Sequence, residues 1–295
     1  MGLINQAGKK VLTKLPDLKL ISLAREVMPY ISVEAEGLTF FFKNTDHSIL
    51  DYMVESKKIW ASSDMDFILG YYKSISARPG TVIDIGANVG TSVIYFRNKL
   101  GPDTKFCAVE PVTDNFNLLK ANCAVNGFSD IKAFRYGLSD TIGEADLEIN
   151  PANMATCKIA GSDSDNLVFE KDESSYVGDK VPLITLDAFV SQNGIDTDAP
   201  VLFWIDVEGH EPEVFKGGRE TFKNTDAVVF CEFNPKLYKH NGNYGEFLKD
   251  IKSCFGKFLC FEQSGNGKYE FRDIAELDKV AAETNDEQCN LLLIR

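Results

Sequence analysis

From residue 80 onward the chain repeats one rhythm, a short apolar run followed by a longer amphipathic stretch. The apolar runs at 81–85, 105–110, 131–136, 201–206, 227–232, 257–261 and 290–294 have strand length. Helical patterns fall between most of them, for example at 115–126 and 245–255. This alternation predicts an α/β fold with a mainly parallel sheet covered on both faces. The interval 150–179 breaks the rhythm: it is polar and rich in Ser, Asp and Asn, and reads as a long loop over the carboxyl edge of the sheet. Arg78-Pro79-Gly80 punctuates the chain sharply. It divides an N-terminal extension, 1–78, from a main domain, 79–295. Within the extension, 38–42 is a β-like run entered through Glu36-Gly37, and helical stretches follow around 49–60 and 66–74.

The 295 residues are 44% hydrophobic and 25% charged, which fits a globular chain and excludes a disordered or fibrous one. The net charge of −13 argues against nucleic acid as the main partner, because phosphate neutralisation needs a basic face. Against this acidic background, residues 1–30 carry five cations (Lys9, Lys10, Lys14, Lys19, Arg25) and two anions (Asp17, Glu26). Two readings follow: a surface helix touching a membrane or a partner, or a helix packed on the main domain with its lysines in water. No apolar run approaches the ~18–20 residues of a membrane span, and no leader-like h-region is visible, so a cytoplasmic location is expected. Seven cysteines without a C-x-x-C pair argue against a disulfide framework or zinc knuckle. Cys107, Cys231 and Cys260 lie in apolar runs and are expected to be buried, reduced thiols.

The most informative stretch is the exit from the first main-domain strand, Asp84-Ile85-Gly86-Ala87-Asn88-Val89-Gly90-Thr91-Ser92. An apolar strand ends in an acid, turns through glycines and opens a helix. In open α/β sheets that is where ligands bind. A dinucleotide fingerprint would place glycine at Asn88 and at Thr91, and the Asn side chain fills the space a pyrophosphate needs, so NAD-dependent chemistry is disfavoured. The remaining D-x-G-x-x-x-G pattern suits a ligand with an amino-acid end. Asp84 attracts an ammonium, and the helix start at Gly90 receives a carboxylate. S-adenosylmethionine carries both groups. Glu110, at the end of the second strand, is placed to accept hydrogen bonds from ribose hydroxyls. At the third strand exit, Leu138 is placed to pack on adenine and Ser139 or Asp140 to reach its amine.

The fourth and fifth strands end in acids as well. Asp206 and Glu208 alternate in the pattern Ile205-Asp206-Val207-Glu208-Gly209-His210-Glu211, so one of the two faces a pocket. Asp206 is the candidate wall beside the methyl donor and acceptor. Glu208 has either that role or that of capping the short helix beginning near Pro212. His210 titrates in the range of a general base, or is a hydrogen-bonded structural group of the turn. Glu232 ends the fifth strand and either bonds an acceptor hydroxyl or pins the Asn234-Pro235 turn. Asp206, Glu232 and Asn234 also present oxygen atoms of the kind that hold magnesium, although no metal is expected.

These blocks resemble the FkbM family of class I S-adenosylmethionine-dependent methyltransferases. The resemblance rests on 83–90, on Val109-Glu110-Pro111, on Ile184-Thr185-Leu186-Asp187, on 205–218 and on Cys231-Glu232-Phe233-Asn234-Pro235. It covers roughly residues 80 to 240. It implies a Rossmann-like seven-stranded sheet with an antiparallel last strand, S-adenosylmethionine as cofactor, and O-methylation of a hydroxyl on a small molecule, sugar or lipid-linked glycan. One departure stands out: the family commonly has a lysine two residues before the strand-end aspartate, and this chain has Trp204. That substitution also admits a catalytically inactive methyltransferase-like scaffold. The oligomeric state is open.

Overall fold

In a computed structural model, residues 21–22, 24–149, 158–159, 176–263 and 269–295 are described. Glu36 and Gly37, read above as a strand entry, form the turn of a hairpin between β1 (Tyr30–Ala35) and β2 (Leu38–Lys43). Both turn residues have positive φ, +50° and +81°, which matches the twist of a two-residue hairpin. Ile31, Val33 and Ala35 alternate inward from β1, and Phe40 and Phe42 from β2. Helices α1 (Ile49–Ser56) and α2 (Ser62–Ser74) complete the extension. Asp46 Oδ1 accepts from the backbone N–H groups of Ser48 and Leu50, satisfying donors at the start of α1. The cationic positions Lys9, Lys10, Lys14 and Lys19 lie outside the described residues.

The main sheet opens with β3 (Thr81–Ile85), α3 (Thr91–Leu100), β4 (Lys105–Val109), α4 (Thr113–Val125) and β5 (Ile131–Phe134). A second sheet of β6 (Gly137–Leu138), β7 (Gly143–Ile149), β8 (Lys158–Ile159) and β9 (Tyr176–Ile184) follows, in the order β6-β9-β7-β8. It corrects the reading of 150–179 as loop, since 158–159 and 176–179 are strand; the other positions of that interval lie outside the described residues. The two-residue β8 is too short to show a period, and the start of β9 carries Gly178 and Asp179, both rare in strands. β7 itself alternates Ala145 and Leu147 with exposed Glu144 and Asp146, and Leu147 packs with Val181 and Leu183 of β9.

After α5 (Leu186–Gln192), the main sheet resumes with β10 (Val201–Ile205), the short helices α6 (Glu211–Gly217) and α7 (Arg219–Asn224), and β11 (Ala227–Phe233). Helices α8 (Pro235–His240) and α9 (Tyr244–Cys254), strands β12 (Lys257–Cys260) and β13 (Arg272–Asp273), α10 (Asp278–Glu283) and β14 (Cys289–Ile294) complete it. The strand order is β13-β12-β14-β11-β10-β3-β4-β5. The five strands from β11 to β5 pair in parallel, and β14 runs antiparallel to both its neighbours. Seven strands match the expected sheet. The two-residue β13 adds an eighth at the edge.

Central strands β3 and β10 are buried along their whole length, as a sheet covered on both sides requires. One face, with Val82, Phe106, Leu202, Trp204 and Phe230, packs with the extension in a common core that includes Phe40, Leu50, Met53 and Ile68. The other, with Ile83, Phe203, Ile205 and Val229, packs with Phe215, Phe222 and Phe247 of the C-terminal helices. The extension is thereby a layer of the core against one face of the sheet.

Candidate active site

Gly86 leaves β3 with φ +83°, and a Cβ there would lie 1.8 Å from the Asp206 carbonyl oxygen. Only glycine lets the loop press this closely on the end of β10. The N–H groups of Gly86 and Ala87 donate to Val109 O, each at 3.0 Å. The Asn88 N–H donates to Glu110 Oε2 at 2.8 Å, and the Val112 N–H to Glu110 Oε1 at 2.9 Å. Glu110 therefore ties the loop after β3 to the loop after β4. Burial pushes its carboxyl up to about 7, although these backbone bonds oppose the shift.

The second half of the site is the turn after β10. The Asp206 N–H donates to Ile85 O at 3.0 Å, so the first two loops meet directly. Glu208 has φ +55° and Gly209 φ +95°, which turn the chain into α6. Glu211 Oε1 accepts from the N–H groups of Val207 at 3.0 Å and Gly209 at 3.4 Å, while Tyr238 OH donates to its Oε2 at 2.7 Å. Glu211 thus holds this turn, and α6 starts without a side-chain cap, so the capping role considered for Glu208 is not seen. Neither sequence position nor residue type separated the two acids; the partner Tyr238 lies 27 residues away.

These loops enclose a cavity of about 270 Å³, near the lower end of the ~300–1,000 Å³ of small-molecule sites. Of the residues expected at the site, Gly86, Asn88, Glu110 and Leu138 line it, as do Asp206, Glu208, His210 and Glu232. Three expected residues are not on its wall. Asp84 is fully buried beneath the loop, where its Oδ2 accepts from Ser92 Oγ at 2.7 Å and from Val93 N–H at 3.0 Å. It anchors the start of α3, and burial pushes it up to about 7. Gly90 begins α3 against Leu119. Ser139 stands behind His210, its Oγ 3.0 Å from Nε2.

Other lining residues escaped sequence reasoning: Ser48, Ile49 and Trp60 from the extension, Tyr136 after β5, and Gln288 before β14. None sits in a motif; Trp60, 43% exposed, offered only its residue type as a signal. Trp204 also lines the cavity, stacked on Phe230 at 3.7 Å and 8° and edge-on to Phe96.

Around Asp206 stands a cluster of desolvated acids. Burial pushes Asp206 up to about 6 and Glu211 up to about 7. Glu208 and Glu232 are raised further, first by burial and then by the neighbouring carboxylates. Burial also lowers His210, against the opposing charges of Glu213 and Asp140, so the imidazole is neutral near pH 7. Its Nδ1 lies 3.5 Å from Glu213 Oε2. Asn234, considered above as a magnesium ligand, instead caps α8: its Oδ1 accepts from Leu237 N–H at 3.1 Å.

A family profile described as the methyltransferase FkbM domain matches residues 84–292. The chain belongs to the FkbM methyltransferase family. That places this FkbM protein in the S-adenosylmethionine-dependent class, on a Rossmann-like α/β fold. Among solved structures it is similar to the FkbM methyltransferase of Methylobacillus flagellatus KT, at 14% identity and a TM-score of 0.43, over 76% of this chain and 46% of that one. The chain thus spans less than half the length of that protein. It is similar to an O-methyltransferase from Bacillus cereus in complex with SAH, at 9% identity and TM-score 0.43, over 94% of this chain and 97% of that one. It also resembles a Pyrococcus abyssi tRNA (uracil-54, C5)-methyltransferase, at 8% identity and TM-score 0.40, over 90% of this chain and 43% of that one. No curated protein matches the chain. Among the described residues no helix is long and apolar enough to cross a membrane.

Proposed function

We propose that this FkbM protein transfers a methyl group from S-adenosylmethionine to a hydroxyl oxygen of a small molecule, sugar or lipid-linked glycan. The observation that carries the reading is the cavity itself, lined by the Gly86 loop and Glu110 together with a carboxylate–histidine cluster. The residues fit the cofactor. The close approach of Gly86 to Asp206 O keeps the loop backbone at the cavity, where Thr91 and Ser92 at the start of α3 also line the wall and suit a carboxylate. Glu110 retains acceptor capacity for a ribose hydroxyl beyond its two backbone bonds and its bond from the Asn115 side chain. Leu138 supplies an apolar surface for a base.

When bound, the cofactor supplies an electrophilic methyl group on a sulfonium. The chain's own task is to hold the acceptor oxygen in line with it and to take the hydroxyl proton as the O–C bond forms. His210, neutral and on the wall, is the base in this reading: the acceptor hydroxyl replaces Ser139 Oγ as the partner of Nε2, Nε2 takes its proton, and Glu213 beside Nδ1 stabilises the imidazolium that results. Asp206 and Glu232 orient the acceptor hydroxyl by accepting hydrogen bonds. Trp204 serves as apolar wall rather than as a charged group, which is no bar to this chemistry.

In the same reading, residues 1–78 form an extension whose Ser48, Ile49 and Trp60 complete the acceptor side, and 79–295 form the catalytic domain. The test is calorimetric titration of the protein with S-adenosylmethionine, followed by transfer of labelled methyl into hydroxyl-bearing acceptors from the host. Saturable binding with a base-stable ether product supports the proposal. Absence of cofactor binding overturns it, and binding without transfer to any fraction favours the scaffold.

A further inference from the structure

The C-terminal edge of the sheet gathers two thiols and a carboxylate that methyl transfer does not use. β12 and β14 pair so that Cys260 lies opposite Leu291, and Cys289, two residues before Leu291, shares its face. Both cysteines are buried and neither is in a disulfide. Glu262 follows in the 3₁₀ turn Phe261–Gln263, on the exposed side. One ligand atom from each of Cys260, Glu262 and Cys289 lies within 4.8 Å of the others, and Cys260 Sγ is 3.8 Å from Glu262 Oε2. Around tetrahedral zinc, bonds of about 2.3 Å to sulfur and about 2.0 Å to oxygen set those two atoms about 3.5 Å apart. The Asn290 N–H donates to Glu262 Oε2 at 2.8 Å and fixes the direction of the carboxylate, as outer-shell partners of metal ligands do.

We infer that Cys260, Cys289 and Glu262 form a binding site for a soft divalent cation of the zinc type, with a fourth coordination position left to solvent. Two sulfur ligands select against magnesium and calcium, which take oxygen. A second carboxyl stands close by: Asp64 of α2 is pushed up to about 6 by burial and then by the charge of Glu262. The Cys289 thiol is raised first by its hydrogen bond with Cys260 and then by burial. Binding replaces two S–H bonds by two S–metal bonds, and both protons leave to solvent. Exposed Glu262 marks the entry side. No C-x-x-C motif announces the site because its ligands come from two strands and a turn joined only by the sheet. Bound there, the ion pins β12 to β14 beside Asn290, the register partner of Glu232 on the cavity wall.

The experiment is a titration of the full, metal-free chain with cobalt(II) chloride under a phosphine reductant, which keeps the thiols from oxidising. A thiolate-to-cobalt charge-transfer band saturating at one equivalent, displaced by zinc and accompanied by release of two protons, is expected. Cys289→Ser abolishes the band, and Glu262→Gln, an exposed change, weakens binding at least about tenfold. Cys254→Ser, on α9, leaves it intact. No band at one equivalent in the fully reduced protein overturns the assignment, as does a band that survives Cys289→Ser in protein shown to be folded by circular dichroism. Cofactor affinity measured on the same samples reports separately on the methyltransferase reading, which does not depend on this site.

Discussion

The side chain of Asn122 holds both backbone polar groups of Phe41: Oδ1 accepts from its N–H at 2.7 Å, and Nδ2 donates to its carbonyl at 3.1 Å. Nδ2 also donates to Val89 O at 2.8 Å, within the loop that follows β3. One helical turn on, Asn126 repeats the pairing with Thr39, at 2.9 and 2.7 Å. Four residues of helix rise about 6 Å, close to the two-residue repeat of a strand, so the amides serve β2 as a surrogate neighbour strand. An edge that would be exposed is thereby closed. The extension and the glycine loop meet at one side chain. Asn122→Ala leaves buried backbone groups unpaired, and we expect it to lower stability by about 2–3 kcal/mol in urea unfolding. It should also weaken S-adenosylmethionine binding measured by calorimetry. Unchanged affinity would separate the extension from the loop.

Glu110→Ala removes the acceptor for two backbone donors and for the ribose. Cofactor affinity should fall at least about tenfold, or ~1.4 kcal/mol, in calorimetric titration while far-ultraviolet circular dichroism stays native. Equal affinity in wild type and variant would remove Glu110 from the cofactor site.

Gly86→Ala places a methyl group into the Asp206 carbonyl and forces a side chain into positive φ. The loop must move, so binding should be lost even where the protein folds. Thermal shift with and without cofactor reads both effects at once.

Acidity offers a further test. Burial pushes Glu211 in the folded state up to about 7, above the ordinary glutamate value of 4.5, so the folded state binds more protons than the unfolded state between those values. Its contribution to stability is fully present below about pH 4.5 and is lost as pH rises toward 7. Glu211→Gln cannot ionise, and it should flatten the fall in urea-unfolding free energy between pH 5 and 7.5 by about 1 kcal/mol or more. An identical slope in the variant would show that Glu211 titrates normally.

His210→Gln should lower kcat with the true acceptor by about 10²–10⁴-fold and leave cofactor affinity unchanged. Full turnover would exclude histidine as the base. Glu213→Gln, which leaves the ring but removes its charged neighbour, should shift the acid limb of the pH–rate profile.

The parts of this molecule that a reader of the sequence finds are those written locally. The strand-end acid, the glycines and the helix start at 84–92 are adjacent in the chain, so their chemistry follows from spacing alone. The order of buried strands likewise follows from apolar runs separated by helices. Asp84, Gly90 and Ser139 were placed correctly on the strand exits but not on the cavity wall, because spacing does not say which way a side chain turns. Ser139 meets His210 from 71 residues away, and Trp60 reaches the cavity from the extension, contacts that no window of sequence contains. β8 and the start of β9 are not legible because two residues show no period and Gly178-Asp179 reads as a turn.

Gly217 of α6 touches β6 without an intervening side chain: a Cβ there would fall 2.1 Å from Ser139 O. Helix and strand lie main chain against main chain, and that leaves no lubricating layer for one to slide on the other. His210, at the head of this helix, and Leu138, on this strand, therefore move as a single block. Ser48, Ile49 and Trp60, which reach the cavity from the extension, stand outside that block.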